Sequence, residues 1–592
     1  MLPECFPDRT THASEARENQ PKNRYPDIKA YDQTRVKLQQ IDSITGSDYI
    51  NANYVMGYQE RKQFICAQGP TDTTVTDFWR MIWEHGLELI VMLTNLEEYS
   101  KVKCSKYWPE ERASRAFGNI TVHHVGEKRY SDYIVRELKI TKQPTNAEGQ
   151  PIVENNGIAK RNGDVKEASE SSAPTSPREV KESGESRVVR QYHFLMWKDF
   201  AAPEHPHSIL KFIKRVNEAW SSMVGRPVVV HCSAGVGRTG TLVALDCLLE
   251  QLRATGHVAV FNTVAELRRQ RNFLVQSLKQ YVFVYRALVE YAHYGDTEIS
   301  ASRLKPAVDK LRNTPDHADK CLMEIEFEKM LNSPVAEPLK SMGAGAGEEL
   351  RARNRSPDCL PYDRNRVILT PLPGRDYSTY INASFIEAYD NSEGFIITQD
   401  PLPNTIMDFW RMVSEHNVTT IVMLSELGDG KCPRYWDDGS IQYEHISVQY
   451  EESESCPYYT RRQFRVTNDK SGEVCCVRQL QYQGWPTARG HVPEVTRGLA
   501  ELADAAAPAH PHHVHQGTML IHCQFGTERS PLFVALCTLI RALRVERRVD
   551  VSATARAVRS QRARTIDTFL QYEFLYRAIL NYAELHNLLE DS

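Results

Sequence analysis

Long apolar runs are missing from this sequence of 592 residues: none approaches the roughly 18 consecutive apolar residues that a membrane-spanning helix needs. The opening Met1-Leu-Pro-Glu-Cys-Phe-Pro7 lacks both the basic start and the apolar stretch of a secretory leader. None of the thirteen cysteines forms a C-x-x-C pair, which argues against a disulfide framework or a zinc site and fits a reducing compartment. A large excess of either charge is missing too. With 72 Lys and Arg against 76 Asp and Glu, the net charge of −4 gives no global reason to expect nucleic acid as a partner. What remains is an ordinary globular balance, 41% apolar and 25% charged, in a chain long enough for about two to four domains.

Two stretches carry a chemical pattern, His231-Cys-Ser-Ala-Gly-Val-Gly-Arg-Thr-Gly240 and His522-Cys-Gln-Phe-Gly-Thr-Glu-Arg-Ser-Pro531. Each sets a cysteine six positions before an arginine, between an apolar strand and a helix. Residues 228–230 are three consecutive valines, and 239–252 repeat apolar residues at helical spacing. A Gly-rich turn in that place aims the backbone N–H groups of Ser233, Ala234, Gly235, Val236 and Gly237, and the positive end of the helix dipole, at one small volume that suits a phosphate. Cys232 sits there, and the same field favours thiolate over thiol. A thiolate facing a phosphoryl group is a nucleophile. Arg238 offers a planar fork for two phosphate oxygens, which lysine cannot, and Thr239 can donate its hydroxyl to the sulfur. An isolated cysteine is ordinarily a small buried hydrophobe; the ten-residue context reverses that expectation for Cys232.

The chain repeats itself. Tyr49-Ile-Asn-Ala52 recurs at 380–383 and Asp77-Phe-Trp-Arg-Met81 at 408–412, both at an offset of 331. The offset is 328 at Trp108 and Trp436, then 288 at Trp197 and Trp485, and 291 at Cys232 and Cys523. The first copy therefore carries an insertion of some 40 residues. Its polar, aperiodic composition places it at 142–187 as a disordered surface loop. Residues 324–330 read as an amphipathic helix ahead of the second copy. Their counterpart at the same offset would precede Met1, so the first domain is expected to be truncated at its N-terminus. The expected organisation is a first domain at 14–295, a linker at 296–315 and a second domain at 316–590. Strand patterns such as 89–93 and 228–231, flanked by helices at 74–85 and 262–271, imply an α/β layer covered by helices.

HCSAGVGRTG matches in full the signature loop of the cysteine-dependent protein tyrosine phosphatases, and the sequence resembles that family over about residues 14–590. The resemblance implies two tandem domains, each a highly twisted mixed sheet flanked by helices. It also implies the cytoplasmic region of a receptor-type enzyme, attached to a membrane only through a segment missing from this chain. Residues 395–403 and the insertion are most similar to the gamma/zeta type. By resemblance Asp199, in Met196-Trp197-Lys198-Asp199, is the general acid; Lys198 departs from the family's proline there, which loosens a hinge. Gln276 positions the hydrolytic water, with Gln280 a further amide nearby. Tyr25, in Pro21-Lys-Asn-Arg-Tyr-Pro-Asp27, walls a pocket deep enough to favour phosphotyrosine over phosphoserine, and Asp27 accepts hydrogen bonds from the substrate backbone. Glu98 orients the arginine, although Glu97 beside it suits the same task. No metal or cofactor is implied, since amides and Arg238 meet the phosphate charge.

The second copy keeps Cys523 and Arg529 but loses the supporting parts. Thr487 stands in place of the acid, Asp567 in place of Gln276 and Ser356 in place of Tyr25. Glu528 in place of Gly237 puts a like charge in the cradle. The expected activity is hydrolysis of phosphotyrosine in proteins by the first domain, with a weak or inactive, regulatory second domain and interdomain or dimer contacts as a mode of control. The alternatives are a non-catalytic phosphotyrosine-binding scaffold and another C-x5-R enzyme acting on other phosphoesters, the latter opposed by Tyr25. His510, His512, His513 and His515 alternate with Ala and Pro and read as surface residues.

Overall fold

A computed structural model describes residues 6–144, 184–197, 202–203, 205–223, 225–334, 340–508 and 517–591. The chain divides into two compact units, Met1–Leu288 and Val289–Ser592.

In the first unit, β1 (Arg35–Lys37), β2 (Tyr49–Met56), β3 (Gln63–Ala67), β4 (Leu89–Met92), the short hairpin β5 (Glu97–Glu98) and β6 (Lys101–Val102), β7 (Ser114–Phe117), β8 (Ile120–Arg129), β9 (Tyr133–Lys142), β10 (Glu185–Phe194) and β11 (Val228–His231) supply the strands. Nine of them form one sheet in the order β1-β2-β3-β11-β4-β10-β9-β8-β7. Its centre, β3-β11-β4-β10, is parallel, and both flanks are antiparallel. The central strands are apolar on both faces because helices cover both: all four residues of β4 and all four of β11 are buried. α1 (His12–Glu15) precedes the strands; α2 (Val75–Glu84) lays Phe78, Trp79 and Ile82 on one face, while α3 (Pro206–Ser221) and α4 (Gly237–Thr255) bury Phe212, Leu245 and Leu248.

The second unit repeats the sheet strand for strand: Arg366–Ile368, Tyr380–Ile386, Phe395–Gln399, Thr518–Cys523, Val418–Met423, Val474–Tyr482, Tyr459–Asn468, Ile446–Ser455, Ser440–Tyr443. The mixed α/β fold expected from the sequence is present twice.

Two boundaries differ from expectation. Lys142 and Glu185–Arg187, assigned to the insertion, are ladder residues: β9 and β10 stay paired out to Lys142 and Glu185. The rest of the insertion, 145–183, lies outside the described residues. The stretch 296–315 is not a free linker. Ile299–Ser300 pairs with Arg548–Val549, and Ala301, Leu304 and Val308 are buried in the core of the second unit. Three apolar residues at helical spacing within a polar run explain both the misreading and the packing.

Candidate active site

β11 carries the chain out of the sheet centre, and the loop after His231 turns directly into α4, whose first residue is Gly237. The turn requires Gly235 at φ +77°, where a Cβ would press on the carbonyl of Ala67. Gly69 closes the other side: its N–H donates to the Ser233 carbonyl at 2.9 Å, and a Cβ there would lie 2.6 Å from the carbonyl of Cys232. Behind the loop sits Arg271, fully buried. It donates to the carbonyls of Gly235 and Ala234 at 2.9 and 3.0 Å, and to Asn53 and Asn51 at 2.8 and 2.9 Å. Five N–H donors in a rigid fork suit that task. Sequence reading missed Arg271; the signal available was its recurrence as Arg562, which binds Gly526, Phe525, Ser384 and Asn382 in the same way.

Cys232 is 4% exposed, and its sulfur accepts hydrogen bonds from the Gly235 N–H and the Thr239 hydroxyl, both at 3.2 Å. Two donors on one sulfur stabilise negative charge there. His231 beside it donates from Nδ1 to the Cys232 carbonyl and accepts at Nε2 from Tyr107, 2.7 Å away. Burial pushes the imidazole down to about 4, so it is neutral. Arg238 is bound at both ends of its fork by Glu98, at 2.8 and 2.6 Å, and donates to the Leu93 carbonyl at 3.0 Å. Glu97, the other candidate, is exposed.

The Tyr25 hydroxyl shares a 2.9 Å hydrogen bond with Ser233 Oγ, which brings the 21–27 segment to the rim of the loop. Arg24 anchors that segment on the carbonyls of Gly69 and Pro70. Asp27 is exposed. Gln276 and Gln280 converge on the cradle at Gly237, where a Cβ would lie 3.2 Å from Gln276 Oε1 and 3.0 Å from Gln280 Nε2. Gln280 is buried, and its Oε1 accepts from the backbone N–H groups of Gln276 and Ser277. Val275, between Gln276 and the loop, sits at φ +62° and donates its N–H to the Val236 carbonyl. A β-branched residue in that region stores about 1–3 kcal/mol of strain, and Ile566 repeats it at φ +49°. Trp197 is buried against Phe194 and Phe283, whereas Lys198 and Asp199 lie outside the described residues.

The second copy has the same frame with different connections. Among the described residues nothing donates to Cys523 Sγ, and Ser530 Oγ, in the place of Thr239, is buried without a partner. The stretch from Leu424 to Cys432 is three residues shorter than that from Leu93 to Cys104, and among the described residues no carboxylate pairs with Arg529; Glu426, at the position of Asn95, pairs with Lys431 at 2.6 Å. Arg529 instead donates to the carbonyls of Leu424 and Pro486 and lies over the Trp485 ring. Glu528 does not place its charge in the cradle as expected. It turns outward to Arg489 at 3.0 Å and to the Gly490 N–H at 3.3 Å, tying down the segment that follows Trp485. A cavity of about 240 Å³ lies beneath, lined by Cys523, Glu528, Arg529, Thr487, Asp400 and Lys431 among others. The four loop histidines lie outside the described residues.

A family model described as protein-tyrosine phosphatase matches residues 19–290 and 350–581. Tyrosine-protein phosphatase 69D of Drosophila melanogaster is 54% identical over the whole of this chain, which covers 38% of that protein. Human receptor-type tyrosine-protein phosphatase alpha is 36% identical over 98% of the chain and 68% of its own length. For rat receptor-type tyrosine-protein phosphatase F the figures are 36%, 97% and 28%. The chain thus spans from under a third to about two thirds of these relatives. No helix among the described residues is long and apolar enough to cross a membrane.

Proposed function

Because the chain belongs to the protein-tyrosine phosphatase family, with two copies of its domain, we propose that it hydrolyses phosphotyrosine in proteins and that only the first copy turns over. The observation that carries this reading is the pair of donors on Cys232 Sγ, 3.2 Å each, beside an arginine clamped by Glu98. That set is present in the first copy and dismantled in the second.

The reaction is a double displacement at phosphorus. The Cys232 thiolate attacks, the bond from phosphorus to the tyrosyl oxygen breaks, and the Asp199 carboxyl gives its proton to that oxygen. The three equatorial oxygens take up the loop N–H groups and the Arg238 fork as charge spreads over them. Gln276 and Gln280, flanking Gly237, then hold a water in line with the phosphocysteine. Asp199 accepts its proton as the sulfur leaves, and the Thr239 hydroxyl stabilises the returning thiolate. Tyr25 sets the depth of the pocket, so a phosphoserine is too short to reach the sulfur.

Attachment on the cytoplasmic side of a membrane through further chain, and control by the second copy or by dimer contacts, are part of the same proposal. The receptor-type names of the relatives support the attachment, and the altered second copy is what suggests a regulatory part for it. The test is turnover of a phosphotyrosine peptide set against the matching phosphoserine peptide. A large preference for the first supports the reading. Equal rates would point to another C-x5-R chemistry, and binding of the phosphotyrosine peptide without release of phosphate would point to a scaffold.

A further inference from the structure

The repeat places a carboxylate where the first copy has none. Gly69 corresponds to Asp400 at the offset of 331. The Asp400 N–H keeps the contact that Gly69 makes, here to the Gln524 carbonyl at 3.3 Å, and adds a shorter one to the Cys523 carbonyl at 2.8 Å. Its side chain reaches His522 Nδ1 at 2.6 Å. Cys432, the counterpart of Cys104, brings its thiol to the same point. Asp400 Oδ, Cys432 Sγ and His522 Nδ1 all lie within 4.8 Å of one another. The three residues are 2%, 0% and 0% exposed.

We propose that Asp400, Cys432 and His522 bind one divalent transition metal, zinc by preference, in the second unit. A thiolate, an imidazole and a carboxylate together suit zinc better than the all-oxygen sets of magnesium or calcium. Bond lengths of 2.0–2.3 Å in a tetrahedral site set the ligand atoms roughly 3.3–3.6 Å apart. His522 and Asp400, 2.6 Å apart, have to part by under about 1 Å, and the sulfur lies within 4.8 Å of both. Asp400 and Cys432 also line the 240 Å³ cavity, which leaves a fourth position open to water or to an anionic ligand held by Arg529. Outer partners are already in place. His522 Nε2 lies 2.8 Å from the Tyr435 hydroxyl, which accepts from Gln479 Nε2 at 2.6 Å; with a metal on Nδ1 the ring proton sits on Nε2 and is donated to that hydroxyl, which holds the ring in place. Loading releases the Cys432 thiol proton and any proton shared between Nδ1 and Asp400, so binding weakens as pH falls. The first copy cannot do the same, because Gly69 has no side chain to offer.

The test uses the full chain, stripped with a chelator, with Co²⁺ as a coloured probe and Zn²⁺ as competitor. The expected result is one Co²⁺ per chain with a thiolate-to-cobalt charge-transfer band, bleached by Zn²⁺. Asp400→Gly, which installs the residue of the first copy, and Cys432→Ser should each weaken binding at least about 100-fold, beyond the 10–100-fold cost of losing an outer partner. Cys523→Ser should leave the band intact. No cobalt binding overturns the proposal. So does binding without the thiolate band, the signature expected of the loop histidines, and so does a band that survives Asp400→Gly and Cys432→Ser or vanishes with Cys523→Ser.

Discussion

Arg238 and Glu98 meet through two parallel hydrogen bonds, 2.8 and 2.6 Å long, with both side chains less than a tenth exposed. The two-point contact fixes the plane of the guanidinium. In the second copy the segment that carries Glu98 is three residues shorter, among the described residues no carboxylate holds Arg529, and the arginine donates to the Pro486 carbonyl instead. The loss of this clamp is one of several differences between the two anion sites.

Removing that clamp should cost far more than breaking an exposed ion pair of the second copy. Glu98→Gln leaves a buried guanidinium charge without its partner, a change that costs about 3–5 kcal/mol. A misaimed arginine should also lower kcat/KM for a phosphotyrosine peptide at least about 10-fold. Glu426→Gln breaks an ion pair that is roughly two-fifths to one-half exposed, and should shift stability by no more than about 0.5 kcal/mol. Urea unfolding and steady-state kinetics of both variants check the contrast.

A pH dependence follows from His193. Burial and the nearby Arg136 charge push this imidazole down to about 3 in the folded first unit. Its Nδ1 accepts from Arg136 at 3.0 Å, and its Nε2 donates to the Thr94 carbonyl at 2.7 Å. Below about 6.5 the unfolded chain takes up a proton that the folded one refuses. Stability is therefore lost as pH falls from about 6.5 toward 3, by about 1.4 kcal/mol per pH unit from this residue. The second copy uses Gln481 in the same place, bonded to Arg462 and to the Ser425 carbonyl. His193→Gln should accordingly fold and be less acid-sensitive, retaining about 2 kcal/mol more of its stability than wild type between pH 6.5 and 5. Urea midpoints of the first unit at the two pH values measure it.

Much of this site was legible because phosphate chemistry concentrates its parts in short motifs. Cys232, Arg238 and Thr239 share one loop, and Glu98 and Gln276 lie at fixed distances from landmarks in the repeat. Arg271 was not legible. Its acceptors Asn51 and Asn53 are some 220 residues away in sequence, and a single arginine at the end of a helix looks like any solvated one. The segment 296–315 was misread because Ile299, Leu304 and Val308 are diluted by charged neighbours, and only a second surface makes their spacing matter. Glu528 shows the opposite limit. Its charge was visible, but the partner that turns it outward, Arg489, is 39 residues away and gives no local signal.

The second copy should resist simple repair. Thr487→Asp with Glu528→Gly restores an acid and frees the segment after Trp485. It returns neither the N–H nor the hydroxyl donors to the Cys523 sulfur, and it does not reaim Arg529. Assayed on a Cys232→Ser background, the double variant should remain at least about 100-fold slower than the first copy, as loss of two donors near 1.4 kcal/mol each implies. A rate close to that of the first copy would mean that loop release alone rebuilds the cradle.

The most direct measurement compares two single substitutions in the full chain, each assayed on one phosphotyrosine peptide. Cys232→Ser is expected to abolish turnover, by at least about 1,000-fold, while the peptide still binds; Cys523→Ser is expected to leave kcat within about twofold of wild type. Turnover that survives Cys232→Ser, or that disappears with Cys523→Ser, would contradict the assignment of catalysis to the first copy.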